Sequence, residues 1–273
     1  MYQATAAEIN ALRKKSGAGM MDCKKALIEA IGDVDKAIEL LRRKGKKIAA
    51  SRSGQETNQG AVIAKVNPGC TLGTVITLSC ETDFVAKNEN FVKLANDLAE
   101  KALSCDTKET LLNSLLDGIS VQDKLIEQTG IIGEKINLSA FEKLQAPFVS
   151  FYIHIGNKIA TLVGFSSTPV GVEDVAKDIA MQIAAMPPLG LDKKDVPTEL
   201  IEKEFEIIKD QLRKEGKPEQ ILDQIAQGRL KKFFSENILI YQAFIKDYKI
   251  SVADYLRNFD SNLKIVGFRR LSI

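Results

Sequence analysis

The chain has 273 residues, 45% of them hydrophobic and 27% charged, and its 38 basic and 36 acidic side chains leave a net charge of +2. That length suits two modest domains or one large one in a soluble globular composition, and the even charge gives no bulk attraction to nucleic acid or membrane. A single histidine, His154, and four cysteines without a CxxC pair argue against a zinc site or a thioredoxin-type motif.

Met1 to Thr5 lead directly into a helical pattern, without a charged segment followed by an apolar one, and no apolar run reaches membrane-spanning length. A cytoplasmic protein is expected, and free cysteines suit that compartment. Thr5 and Glu8 form a capping-box pattern ahead of a short first helix, whose apolar stripe is Ile9 and Leu12. Ser16-Gly17-Ala18-Gly19 breaks that helix, Met20 and Met21 follow in the loop, and Asp22 is placed to cap a second helix over Cys23–Ala30. Asp33 caps a third, from Val34 to Lys44, with Ala37, Leu40 and Leu41 inward. The unit resembles the ubiquitin-associated type of three-helix domain, whose binding edge is the loop between its first two helices. Met20 and Met21 occupy the matching loop, either as adaptable apolar surface or as filling for a small core. Residues 42–60 then read as a linker. Arg42-Arg43-Lys44-Gly45-Lys46-Lys47 is strongly basic but lacks the interleaved aromatics of an RNA-binding stretch, and Ser51 to Gly60 is polar.

Gly60–Val66 and Thr71–Ser79 read as two strands joined by an Asn67-Pro68-Gly69 turn. A corner follows, Cys80-Glu81-Thr82-Asp83-Phe84-Val85-Ala86-Lys87-Asn88, and it leads into a helix that reaches about Ala102. Thr82 or Asp83 can cap that helix. Phe84 is then either packed back onto its own domain or held out as an interface anchor. Helical patterns recur around Leu111, Leu112, Leu115 and Leu116 and over Val121 to Gln128, with Asp117-Gly118 between them. The second should stop near Gly130, and Gly133 should allow a close backbone approach.

Strand, turn, strand and helix then recur about 88 residues later, as Phe148–His154, Ile155–Lys158, Ile159–Phe165 and Val175–Ala185. This second copy has Ser166-Ser167-Thr168-Pro169 at its corner, with no Thr-Asp-Phe. Ile201, Phe205, Ile208 and Leu212 make the seam of a helical hairpin that turns at Gly216-Lys217-Pro218. A segment over Val252 to Phe259 and a strand from Ile265 complete the chain. The fold class is α+β. The expected division is a three-helix domain with basic linker over 1–55, a core N-subdomain over 56–140, and a core C-subdomain over 141–273 carrying the hairpin at about 198–234.

Four stretches together resemble the bacterial elongation factor Ts family, the nucleotide-exchange factors of elongation factor Tu. They are Leu12 to Leu27 with Gly32-Asp33, Thr82-Asp83-Phe84-Val85-Ala86-Lys87, Ile132-Gly133-Glu134, and Gly216-Lys217-Pro218 with Gly228 to Phe233. The resemblance covers nearly the whole chain. It implies that Arg13, Met20 and Met21 bind the partner's nucleotide-binding domain. It implies that Thr82, Asp83, Phe84 and Val85, with Ile132, Gly133 and His154, form a patch that enters between partner helices and loosens GDP. Such a protein is not an enzyme and needs no cofactor or metal, in line with the missing GxxxxGK[ST] loop and the lack of a catalytic set. Its partner would be elongation factor Tu, without membrane or direct nucleic-acid binding, in a 2:2 assembly through the hairpin. Rival readings are a ubiquitin-associated-like adaptor without exchange activity and an RNA-binding translation protein using Arg42 to Lys47. The chain departs from the family pattern at Lys135, where Asn is usual, at Gln182, where His is frequent, and at Gln242-Ala243-Phe244, which lacks a Pro. It also ends without the acidic and helical extension of many members, which bears on the contact with the partner's distal domain.

Overall fold

The computed structural model describes residues 2–273. Three helices open it: α1 (Ala6–Ser16), α2 (Met20–Glu29) and α3 (Val34–Ser51). The capping box forms, with Thr5 Oγ1 accepting from the Glu8 N–H and the Glu8 carboxylate accepting from the Thr5 N–H. Leu12, Cys23, Leu27 and Ala37 make the small core. α2 starts at Met20 with Gly19 at its N-cap, so Asp22 lies in the first turn rather than at the cap, where its charge still favours the positive end of the helix.

The linker reading of the basic stretch is corrected. Residues 42–51 are helical, and α3 continues past Lys44 to Ser51. Arg, Lys, Ile and Ala are adequate helix formers, and the one weak residue, Gly45, sits opposite the close approach of another helix. Gly45 faces Gly130, where a Cβ would stand 2.3 Å from the Gly45 Cα.

Next come β1 (Gln59–Val66) and β2 (Leu72–Cys80), antiparallel, their turn closed by the Asn67 side chain accepting from the Thr71 and Leu72 N–H groups. α4 (Asp83–Ala86) and α5 (Glu89–Ala102) follow, then α6 (Lys108–Asn113). Asp117-Gly118 is not a break between helices but the turn of a small hairpin, β3 (Leu115–Leu116) with β4 (Ile119–Ser120). Both turn residues have positive φ, 54° and 83°, as a two-residue hairpin loop requires. α7 (Val121–Ile132) runs two residues beyond Gly130 and leads to β5 (Asn137–Gln145), which pairs with β2.

The second half repeats the scheme with β6 (Phe148–Ile153), β7 (Ile159–Phe165) and α8 (Val172–Ala185). The hairpin α9 (Thr198–Lys214) and α10 (Glu219–Asn237) comes next, followed by β8 (Ala243–Phe244), β9 (Asp247–Ser251), α11 (Val252–Phe259) and β10 (Ile265–Ser272). The main sheets are ordered β1-β2-β5 and β6-β7-β10, each a hairpin with a third strand beside its second. Alternation along the strands sends Ile63, Ile76 and Leu78 toward Phe91 and Leu98 of α5, and Val62, Ala64 and Val75 toward Val149, Ala160 and Leu162 of the other sheet. The order of layers is helix, sheet, sheet, helix, with α8 on the far side. Both faces of each hairpin are covered, which accounts for strand sequences that are apolar almost throughout.

The α9–α10 hairpin buries Ile208, Leu212, Leu222 and Ala226 along its seam. At its root two buried amides interlock. Gln182 donates to Gln242 Oε1 at 3.0 Å and accepts from the Ile245 N–H at 2.8 Å. Gln242 in turn donates to the Met186 and Glu236 carbonyls. Gln182 thus has a full set of partners at a position that departs from the family pattern.

Candidate functional site

β2 delivers the chain to the corner at Cys80. Thr82 is extended and caps α4, its Oγ1 accepting from the Val85 N–H at 3.4 Å. One helical turn later Asn88, also extended, caps α5 by accepting from the Asn90 and Phe91 N–H groups. The short helix is therefore held at its start by a side-chain cap and at its end by the Lys87 and Asn88 backbone N–H groups, with a second side-chain cap starting α5 straight after it. A single turn can turn only part of itself inward, and Ala86 and Val85 take the inward positions. Phe84 is left pointing out, 83% exposed.

Asp83, beside it, accepts from Lys87 Nζ at 2.7 Å. That hydrogen bond, with the charge of Lys87 and a smaller contribution from Lys158, holds the Asp83 carboxyl below the ordinary aspartate value. A lowered folded-state value means that the pair is intact above the unfolded value and is lost as pH falls through the folded one. An NMR titration of Asp83 should accordingly give a midpoint below that of an ordinary aspartate, and Lys87→Ala should raise it. A wild-type midpoint at or above the ordinary value would exclude the pair.

Two carboxylates bind the corner to the end of α7. Glu134 accepts from both the N–H and the Oγ1–H of Thr82, at 3.0 and 2.7 Å. Glu81 accepts from the Lys135 N–H at 2.7 Å and from Arg52 at 2.8 Å. Gly133 makes this exchange possible by capping α7 at φ 82° and turning the chain back toward β2. A Cβ there would meet nothing, so Gly133 serves conformation rather than close approach, and the close approach expected of it belongs to Gly130. Lys135 Nζ donates to the carbonyls of Ser53 and Gln55, which ties the end of α3 to the same junction. Beneath lies the Cys80 thiol, whose pKa burial pushes up to about 11, so it stays protonated and unreactive.

Met20 and Met21 are 54% and 62% exposed, and Arg13 is exposed too. Neither Met fills the small core. A groove of about 670 Å³ separates the helical unit from the corner, floored by Phe84, Val85, Leu94, Ile131 and Ile132 and reached by Gly17 of the α1–α2 loop. Phe84, Val85 and Ile132 thus share one surface, with Gly17 of the α1–α2 loop at its border. His154 does not line this groove. It lies exposed at the end of β6, with its Nδ1 3.1 Å from the Tyr152 hydroxyl. Its turn is fastened to the first sheet where the Asn157 carbonyl accepts from the Val62 N–H at 2.7 Å, and Lys158 carries its charge toward Asp83. Ile155, at the tip, is 91% exposed.

Sequence reasoning placed Glu81 and Glu134 within its motifs and Ile155 within a turn but assigned a role to none of them. The two glutamates gave no local signal of their long-range partners. Ile155 could have been found as an aliphatic residue inside a turn otherwise built of Gly, Asn and Lys. Among the described residues no three His, Cys, Asp or Glu side chains gather as metal ligands, and no helix is long and apolar enough to cross a membrane.

Residues 81–273 match the family model described as elongation factor TS. Over 273 residues, covering all of both chains, the sequence is 56% identical to the elongation factor Ts of Christiangramia forsetii and 54% identical to that of Flavobacterium psychrophilum. It is 50% identical to the elongation factor Ts of Amoebophilus asiaticus over 98% of each chain.

Proposed function

The chain belongs to the elongation factor Ts family, and from that premise we propose that it binds GDP-bound elongation factor Tu and speeds the release of GDP by inserting the Phe84 corner between partner helices. The observation that carries this reading is an aromatic left in water on a helical turn fixed between the Thr82 cap at its start and the Asn88 cap of the next helix. A hydrophobic side chain kept in that position gains nothing for its own fold, and it has the form of an interface anchor. Thr82, Asp83 and Val85 hold and flank it, Ile132 and Gly133 supply the adjoining apolar edge, and His154 extends the contact from the second sheet. Arg13, Met20 and Met21 form a second contact from the helical unit.

The mechanism is linkage. A factor that prefers the nucleotide-free partner weakens GDP by the same factor by which GDP weakens it. Binding energy does the work, and no bond of the nucleotide is broken. Leu200, Ile207 and Ile221 leave apolar surface on the hairpin, and a 2:2 assembly would form there. The mass of the complex in solution decides that point.

The test of function is the release of labelled GDP from elongation factor Tu. The chain should accelerate it at roughly micromolar concentration. A release rate unchanged by the chain would overturn the reading.

A further inference from the structure

Phe84 touches no support of its own, so something else must fix its direction. The Thr82 cap holds the start of α4 and backbone bonds close its end, but neither sets its tilt against the body. Only one side chain outside the corner reaches Thr82, the residue at the foot of the turn. Both oxygens of Glu134 go to it, one to the N–H and one to the hydroxyl. The same Thr82 hydroxyl accepts from the Val85 N–H, so a single oxygen joins Glu134 to the cap that starts α4. Glu81 returns the connection by accepting from the Lys135 N–H, next to Glu134. Corner and loop therefore hold each other through two crossed carboxylates, neither of which is exposed.

We infer that Glu134 is a positioning residue for nucleotide exchange, acting through Thr82 to aim Phe84. This rests on the exchange reading proposed above. The outward path is short: Glu134 fixes Thr82, Thr82 fixes the first turn of α4, and Phe84 is the second residue of that turn. Bonds to a charged acceptor are the stronger kind and have the geometry to set direction. Without Glu134, two donors of Thr82 lose their acceptor and α4 is held only by the Thr82 cap and its own backbone bonds.

The experiment is labelled-GDP release from GDP-loaded elongation factor Tu across a range of factor concentrations, which separates maximal acceleration from half-saturation. Glu134→Ala should lower the maximal acceleration about tenfold, the size of one lost hydrogen bond to a charged group. Half-saturation should shift less, by about threefold at most, because the contact area is unchanged. Glu134→Gln should recover most of the rate, since its amide can accept from the Thr82 N–H and donate to the hydroxyl. A purely structural role would not show the decisive signature, which is that Glu134→Ala has no further effect in a Phe84→Ala background. If Glu134→Ala does not fold, Thr82→Val, with Thr82→Ser as its conservative pair, enters the same cycle. A Glu134→Ala chain as active as the unsubstituted one, or losses that multiply independently of Phe84, would overturn the inference. Failure of the unsubstituted chain to accelerate release would instead overturn the exchange reading itself.

Discussion

Phe84→Ala is expected to cut the acceleration of GDP release by about thirtyfold or more, the effect of truncating an interface anchor that contributes 2 kcal/mol or above. The fold should barely notice. The side chain is 83% exposed, and Ala86 and Val85 provide the inward contacts of its turn. Surface substitutions of this kind stay within about 0.5 kcal/mol of the parent stability. Alanine also suits a helical turn at least as well as phenylalanine does. The expected pair of results is an unchanged unfolding midpoint and a factor that scarcely stimulates release. Loss of stability of several kcal/mol would place Phe84 in the core and contradict the structure.

The second large effect concerns the crossing of α3 and α7. A Cβ on Gly130 would lie 2.3 Å from the Gly45 Cα and 3.2 Å from the Gly45 carbonyl carbon. Both obstacles are backbone, so no rotamer change relieves them, and the two helices must separate. Gly130→Ala should therefore cost about 3 kcal/mol, the upper end for overpacking. Hydrogen exchange should show α3 losing protection along with the face of α7 it covers. The opposite substitution behaves differently. A Cβ on Gly45 would meet the Gly130 Cα at 3.5 Å, an ordinary contact. Gly45→Ala should be neutral or stabilising by up to about 1 kcal/mol through helix propensity. Equal effects from the two alanines would show that the crossing is looser than it stands here.

The extent of α3 explains why part of the fold was legible and part was not. Val34, Ala37, Ile38, Leu41, Gly45 and Ile48 recur at helical spacing, but the glycine interrupts the apolar stripe and the basic residues around it dominate the composition. A glycine standing on an apolar face signals close helix packing, but here it falls inside a basic run whose composition reads as linker. The strands of the β1-β2 and β6-β7 hairpins were legible because both faces of each hairpin are covered, which makes them apolar almost throughout. In the site, the strand-to-helix grammar around Thr82 and the family resemblance exposed the corner. The exposure of Phe84 did not follow from composition, since an aromatic in a turn packs inward as readily as it points out. The roles of Glu134 and Glu81 were illegible for another reason. Their partners lie 52 and 54 residues away, and no periodicity links positions that meet only when β5 pairs with β2. Lys135 belongs to the same class: as a departure from the family pattern it looked arbitrary, and in the fold it ties down two carbonyls at the end of α3.

Two caps and two crossed carboxylates give the corner little mechanical compliance before any partner arrives. When two bodies are pressed together, the softer one deforms. In the exchange proposed above, a stiff aromatic tip would lose little conformational entropy on contact and would not fold away under load, so the displacement would fall almost wholly on the partner helices. The work of prising out the nucleotide is then set by the elasticity of the partner, and the factor itself needs no moving part.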